Sequence, residues 1–162
     1  MREVVRSARI GLMLVVLTLG CQRGPEAEVV VEATDVLPFE NVGVGAGASL
    51  TDTTEVILYT PEAWENYRAR LRSVGPFKPV DFSQEMVVLV AVPVPSGGYS
   101  VEVESVEKAG DEVVVHYVLY TPEQGCIPVE GTAVPYQVVK ARRAEGTPRF
   151  VRRTEPFPCT LE

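Results

Sequence analysis

The sequence has a single histidine, His116, and three cysteines, Cys21, Cys126 and Cys159. That scarcity removes most imidazole and thiolate chemistry. Nucleophilic catalysis needs a base within hydrogen-bond reach of a serine or cysteine, yet His116 sits between Val115 and Tyr117 in a strand-like run. A zinc site needs three or four nitrogen, sulfur or carboxylate ligands, and no such residues cluster around the lone histidine. Positive charge is also short, with 15 Lys and Arg against 22 Asp and Glu and a net charge of −7. An acidic chain disfavours nucleic acid and anionic headgroups. Long apolar runs are missing too: the run near the N-terminus has about ten residues, whereas a crossing helix needs roughly 20. Paired carboxylates could do acid–base work, but Glu102 and Glu104 alternate with Val101 and Val103 and so line the wet face of a strand. These absences argue for a non-catalytic protein with no cofactor and no metal.

The N-terminus carries a clear pattern. Arg2, Arg6 and Arg9 precede the uncharged run Ile10–Leu19, the layout of a signal peptide. Leu17-Thr18-Leu19-Gly20-Cys21 resembles the lipobox of bacterial lipoproteins, with Thr18 where leucine is common. The resemblance implies cleavage before Cys21 and acylation of its sulfur. Two or more acyl chains anchor stably, where one binds only marginally. The alternatives are an uncleaved signal anchor and a plain secretory peptide with an incidental cysteine. The expected organisation is a lipoprotein signal peptide over 1–20, a tether over 21–28 and a β-rich domain over 29–162. Losing residues 1–20 removes three arginines and one glutamate, which leaves a mature chain near −9. The expected location is the cell envelope, with Cys21 holding the membrane and the domain on the extracytoplasmic side. In that oxidising compartment a single disulfide between Cys126 and Cys159 is the default. It would close a loop of about 34 residues and contribute roughly 3–4 kcal/mol on the chain-entropy model. Two free thiols would need a reducing setting.

The body is rich in Val and Pro, which points to strands. Val29–Ala33 reads as a first strand and Glu55–Tyr59 as another. Thr60-Pro61-Glu62 has the chemistry of a helix start, and Trp64, Tyr67 and Leu71 share one helical face. Gly75-Pro76 ends that helix. Asn41–Ala48 is Gly-rich but lacks the Gly-Lys-Ser/Thr ending of a phosphate loop, so it reads as a turn or irregular edge. Met86–Val92 is apolar at every position, as in a central strand covered on both faces. The alternation after Tyr99 slips at Ser105-Val106, which marks a bulge or strand end. Lys108–Asp111 is a hairpin turn, Val113–Tyr120 the returning strand, Val134–Lys140 another, and Phe150-Val151 a short last one. Leu58–Glu62 recurs as Leu119–Glu123, read as two similar strand endings. The fold class is α+β and β-dominated: a small, mostly antiparallel sheet or sandwich with one helix packed on it.

The densest pattern is Ser96-Gly97-Gly98-Tyr99-Ser100-Val101, opening into a Val/Glu strand. With Asp81-Phe82, the Trp-bearing helix and Val134-Pro135-Tyr136-Gln137-Val138-Val139-Lys140, it resembles the PrcB C-terminal domain family, with Ser96 where the family has threonine. The resemblance implies a β-rich domain on an exported, often lipid-anchored protein, in a family whose founding member is a non-cleaving subunit of a surface protease complex. It points to Ser96, Gly97, Gly98, Tyr99 and Ser100, with nearby Tyr136, as the surface that binds an exported partner such as a protease. Tyr99 either presents its ring as an anchor or packs inward behind a tight Gly-Gly hairpin. A faint likeness to the Thr-Gly-Tyr loop of chagasin-like inhibitors is a minor variant. A structural envelope lipoprotein without a dedicated client, and a small-ligand or peptidoglycan binder, are the other classes open to this sequence.

Overall fold

The computed structural model describes residues 34–73, 75–126 and 130–158. The expected strand at Val29–Ala33, the signal peptide, Cys21 and the tether lie outside them. The chain forms β1 (Thr34–Val36), β2 (Phe39–Gly45), β3 (Gly47–Ala48) and β4 (Thr54–Leu58), then α1 (Pro61–Arg68) and β5 (Leu71–Arg72). β6 (Glu85–Ala91), β7 (Val94–Ser96), β8 (Ser100–Ala109) and β9 (Glu112–Pro122) follow. β10 (Glu130–Ala133), β11 (Tyr136–Arg142) and β12 (Thr147–Phe157) complete it.

β2, β11, β6 and β4 form one antiparallel sheet in that order. β1, β8, β9 and β12 form the second, in which β12 runs parallel to β9 and the other pairs are antiparallel. The apolar run in β6 explains how they stack. Met86, Val88 and Val90 point one way and join Val103, Val106, Val115 and Tyr117 in a core between the sheets. Val87, Leu89 and Ala91 point the other way and join Leu58, Trp64, Leu71 and Val138 in a second core beneath α1. Complete burial of each such Val or Leu side chain contributes about 1.5–3 kcal/mol, so β6 ties three layers together. Tyr117, from the second sheet, donates its hydroxyl to Glu55 on β4 and links the two sheets at that side.

α1 begins as its residues require. The Thr60 hydroxyl accepts from the Ala63 N–H at 3.2 Å, Pro61 needs no hydrogen-bond partner at the first position, and Glu62 and Arg68 suit the two ends of the dipole. The helix stops at Arg68, well before Gly75-Pro76. Pairing with β3 draws the chain into β5 at Leu71, so Leu71 reaches the core from a strand and not from the helix face. Trp64 packs edge-on to Phe77, with ring centres 5.4 Å apart.

Of the two expected forms, the Gly-rich stretch takes the irregular edge and not the turn, since β2 lies at a sheet edge with a register shift against β11. The stretch supplies β2 and β3, and its glycines allow close approach. A Cβ on Gly43 would fall 2.5 Å from the Phe77 ring, and one on Gly45 would fall 2.7 Å from the Arg72 carbonyl. The last strand is also longer than the expected Phe150-Val151 pair. β12 runs beside β9 from Thr147–Glu112 to Phe157–Pro122, and polar and apolar residues mix along it because most of its residues are exposed. The expected slip in β8 is present as a register shift between Val103 and Ser105. The Lys108–Asp111 hairpin is present as well, with Gly110 at φ 52°.

Candidate surface at the sheet crossover

After Ala91 the chain leaves the first sheet. The Val92 N–H donates to the Pro135 carbonyl at 3.1 Å, and β7 pairs with β10, Val94 opposite Ala133 and Ser96 opposite Glu130. Gly97 and Gly98 then turn the chain into β8 of the second sheet. β7 and β8 belong to different sheets and are not hydrogen-bonded neighbours. The Gly-Gly element is therefore an arch between sheets, not the tight hairpin expected as the simpler reading. Gly98 has φ 91°, and a Cβ there would sit 3.2 Å from the Pro122 ring. Both facts call for glycine. Gly98 and Ser100 are exposed, while Ser96 and Gly97 are half-buried.

The two tyrosines differ from an exposed anchor pair. Tyr99 is half-buried and packs against the core between the sheets, which resolves its alternative orientations toward the inward one. Tyr136 is 1% exposed and stands at the head of β11 between Ala91 and Gly45. Its ring offers no surface to a partner, because the absent side chain of Gly45 is what makes room for it. The Tyr136 hydroxyl is buried without a well-formed hydrogen bond. Burial raises its pKa, and the nearby Ser73 side chain only moderates the rise. Tyr136 thus shapes the surface from beneath. A cleft of about 300 Å³ opens beside the arch between Val44, Ala46, Tyr99, Ser100, Val101 and Pro135.

Residues remote in sequence join this end of the molecule. The parallel register brings Phe157 beside Pro122, directly behind Gly98, and the Glu123 N–H donates to the Phe157 carbonyl at 3.1 Å. Phe157 is 54% exposed and meets Tyr120 edge-to-face at 6.4 Å. This aromatic pair was not legible in sequence: Tyr120 showed only as part of a repeated pentapeptide, and Phe157 follows a short strand signal. The Leu58–Glu62 and Leu119–Glu123 copies do end two strands, β4 and β9, with different continuations.

Cys126 closes a turn whose N–H donates to the Glu123 carbonyl at 3.1 Å. Cys159 lies outside the described residues. His116 faces outward on β9, in register with Ser105 and Val151. Above β9, the Arg153 guanidinium donates to Glu104 at 2.7 Å and holds that carboxyl below its usual range. Among the described residues no group of three or more His, Cys, Asp or Glu could hold a metal ion, and no helix is long and apolar enough to cross a membrane.

Two stacked sheets, one helix on the outer layer and a glycine arch at one end define a small β-sandwich module with a loop-built surface. Residues 86–141 match the family model described as PrcB C-terminal. That stretch, from β6 through β11 and including the arch, is similar to the PrcB C-terminal family. Neither the curated proteins nor the solved structures contain a match to the chain.

Proposed function

We propose that this chain is a non-catalytic, lipid-anchored protein of the cell envelope that binds or stabilises an exported partner of the protease-complex kind. The observation that carries the reading is the family match over 86–141, a stretch that includes the arch Ser96–Ser100. The N-terminal pattern ending at Cys21 supports the anchor and the extracytoplasmic location. The contact surface consists of Ser96, Gly97, Gly98 and Ser100, with Tyr99 and Tyr136 fixing its shape and Phe157 and Tyr120 extending it. Glycine arches let a partner approach the backbone closely, and the exposed Phe157 ring, backed by half-buried Tyr120, supplies anchor area.

The disulfide Cys126–Cys159 belongs to the same proposal. It is supported by the Glu123–Phe157 hydrogen bond, which ties the chain before Cys126 to the chain before Cys159. The bond would brace the end that carries the arch.

The test is cross-linking co-purification of the full chain from native membranes, with a Gly97→Val/Gly98→Val double variant in parallel. Recovery of an exported protein with the wild type alone, while the variant keeps its cooperative melt, supports the reading. Equal recovery with both forms removes the arch from it.

A further inference from the structure

β2 and β11 stay paired as far as Gly45 and Tyr136, and the Val134 N–H still donates to the Ala46 carbonyl at 3.1 Å. Beyond that rung the strands part. β3 pairs with β5, Gly47 against Arg72 and Ala48 against Leu71. β10 pairs instead with β7. A cleft of about 480 Å³ lies in the fork, lined by Gly47, Ala48, Ser49, Arg72, Thr132 and Ala133 among others.

The backbone in this fork has an unused edge. Along a strand, peptide groups alternate between the two edges. Ala46 faces β11, and Ser49 faces β5, donating to the Arg70 carbonyl at 2.8 Å. Ala48 therefore turns its peptide groups into the fork. On the opposite wall the Val134 N–H faces β2, and Ala133 pairs with β7 beside a register shift between Glu130 and Ala133. A strand edge whose peptide groups meet no neighbouring strand is a template for one. The side chains around them are Gly, Ala, Ser and Thr, small enough to leave the main chain within reach.

Charge marks one end of the fork. Arg72 makes no ion pair among the described residues, whereas Arg68, Arg142, Arg143, Arg149 and Arg153 each hold a carboxylate. Its stem runs along Gly47, with Cδ 3.5 Å from where a Cβ would stand. A guanidinium that donates to no described residue is matched to a carboxylate, which it can bind through two parallel hydrogen bonds.

We propose that the fork takes an extended peptide of a partner protein as an added strand, with a carboxylate of that peptide on Arg72. The cleft falls within the roughly 300–1,000 Å³ span of ligand sites. The inference stands apart from the arch, since neither Gly97 nor Gly98 lines the fork.

The probe is a pool of random linear octapeptides offered to the immobilised full chain in detergent, once with free and once with amidated C-termini. The retained peptides are sequenced. The expected result is retention of strand-forming peptides rich in Asp and Glu or dependent on a free terminus. Retention from both pools assigns the carboxylate to a side chain; retention from the free pool alone assigns it to the terminus. A retained peptide resynthesised with N-methylated backbone should lose binding, and its parent should slow hydrogen exchange over Ala46–Thr51 and Thr132–Val134. Arg72→Gln, a surface change that keeps the stem, should weaken binding at least tenfold, while the Gly97/Gly98 double variant binds as the wild type does. No retention above the Arg72→Gln level, full binding by the N-methylated peptide, or exchange protection elsewhere overturns the proposal.

Discussion

The two sheets put similar central strands in different surroundings. β6 reads Met86-Val87-Val88-Leu89-Val90-Ala91 and is buried throughout, one face on the other sheet and one under α1. β9 reads Val113-Val114-Val115-His116-Tyr117-Val118-Leu119 and packs no helix on its outer face. Val114 and Val118 nevertheless have no exposed surface. Val114 lies between Glu107 and Arg149, and Val118 between Glu102 and Arg153, in the strand registers. Arg153 reaches Glu104 across β9, and Arg149 reaches Glu112. Long charged side chains lay their methylenes over apolar surface and keep their heads in water. An apolar run in this fold thus marks a central strand, but not which kind of layer covers it.

If the helix cover is the stronger of the two, Trp64→Ala should be the most damaging single change. Loss of a buried ring with its Phe77 contact should cost about 3–5 kcal/mol, read as a lower midpoint in a denaturant melt. An unchanged midpoint would place the stability elsewhere. Tyr117→Phe tests the link between the sheets. Removing a part-buried hydrogen bond to a carboxylate should cost about 1.5–3 kcal/mol. The same variant sharpens the alkaline side. Burial first, then Glu55, raises the Tyr117 pKa above its ordinary value, which in the unfolded chain is about 10. The group's contribution is present in full below that value and is lost as pH rises through the folded one. Tyr117→Phe should therefore flatten the loss of stability above about pH 10.

Gly98→Ala probes the arch. Forcing a side chain into the left-handed region should cost about 1–2 kcal/mol, while Gly97→Ala, at a position without positive φ, should cost less in the same thermal melt. Arg153→Ala probes the charged cover and should have the smallest effect on global stability, because the pair is largely exposed and screened. Its signature should be faster amide exchange along β12. Glu104 is held below its usual pKa chiefly by its hydrogen bond to Arg153. Its contribution is therefore present above the unfolded carboxylate pKa and is lost as pH falls through the folded one. The variant should show a shallower acid limb, and an identical limb would mean that the pair is not formed in solution.

Local chemistry carried much of this architecture. The Thr60-Pro61 start, the two-faced β6 run, the Val/Glu alternation, its slip and the Gly110 hairpin all depend on residues within a few positions of one another. The Ser96–Ser100 motif was likewise visible as a unit. What went astray depended on distant partners. Trp64, Tyr67 and Leu71 keep helical spacing past Arg68, but pairing with β3 claims Leu71 for a strand. The glycines at 43 and 45 suit a turn as well as an irregular edge, and only Phe77, Arg72 and Tyr136 set against them decide for the edge. Tyr136 is polar enough to suggest a surface, yet Gly45 opposite it leaves a slot that the ring fills.

Charge, the scarcity of histidine, the strand-rich composition and the β6 and β8 patterns followed from the residue order alone, because side-chain type and period act within one segment. Which segments meet did not follow from that order. The parallel seating of β12 on β9, the arch that crosses between sheets, the Phe157–Tyr120 pair and the fork beside Arg72 each need contacts between parts far apart in the chain. Such contacts are selected by how whole faces pack and how hydrogen-bond edges are used up, quantities that exist only once the sheets have formed.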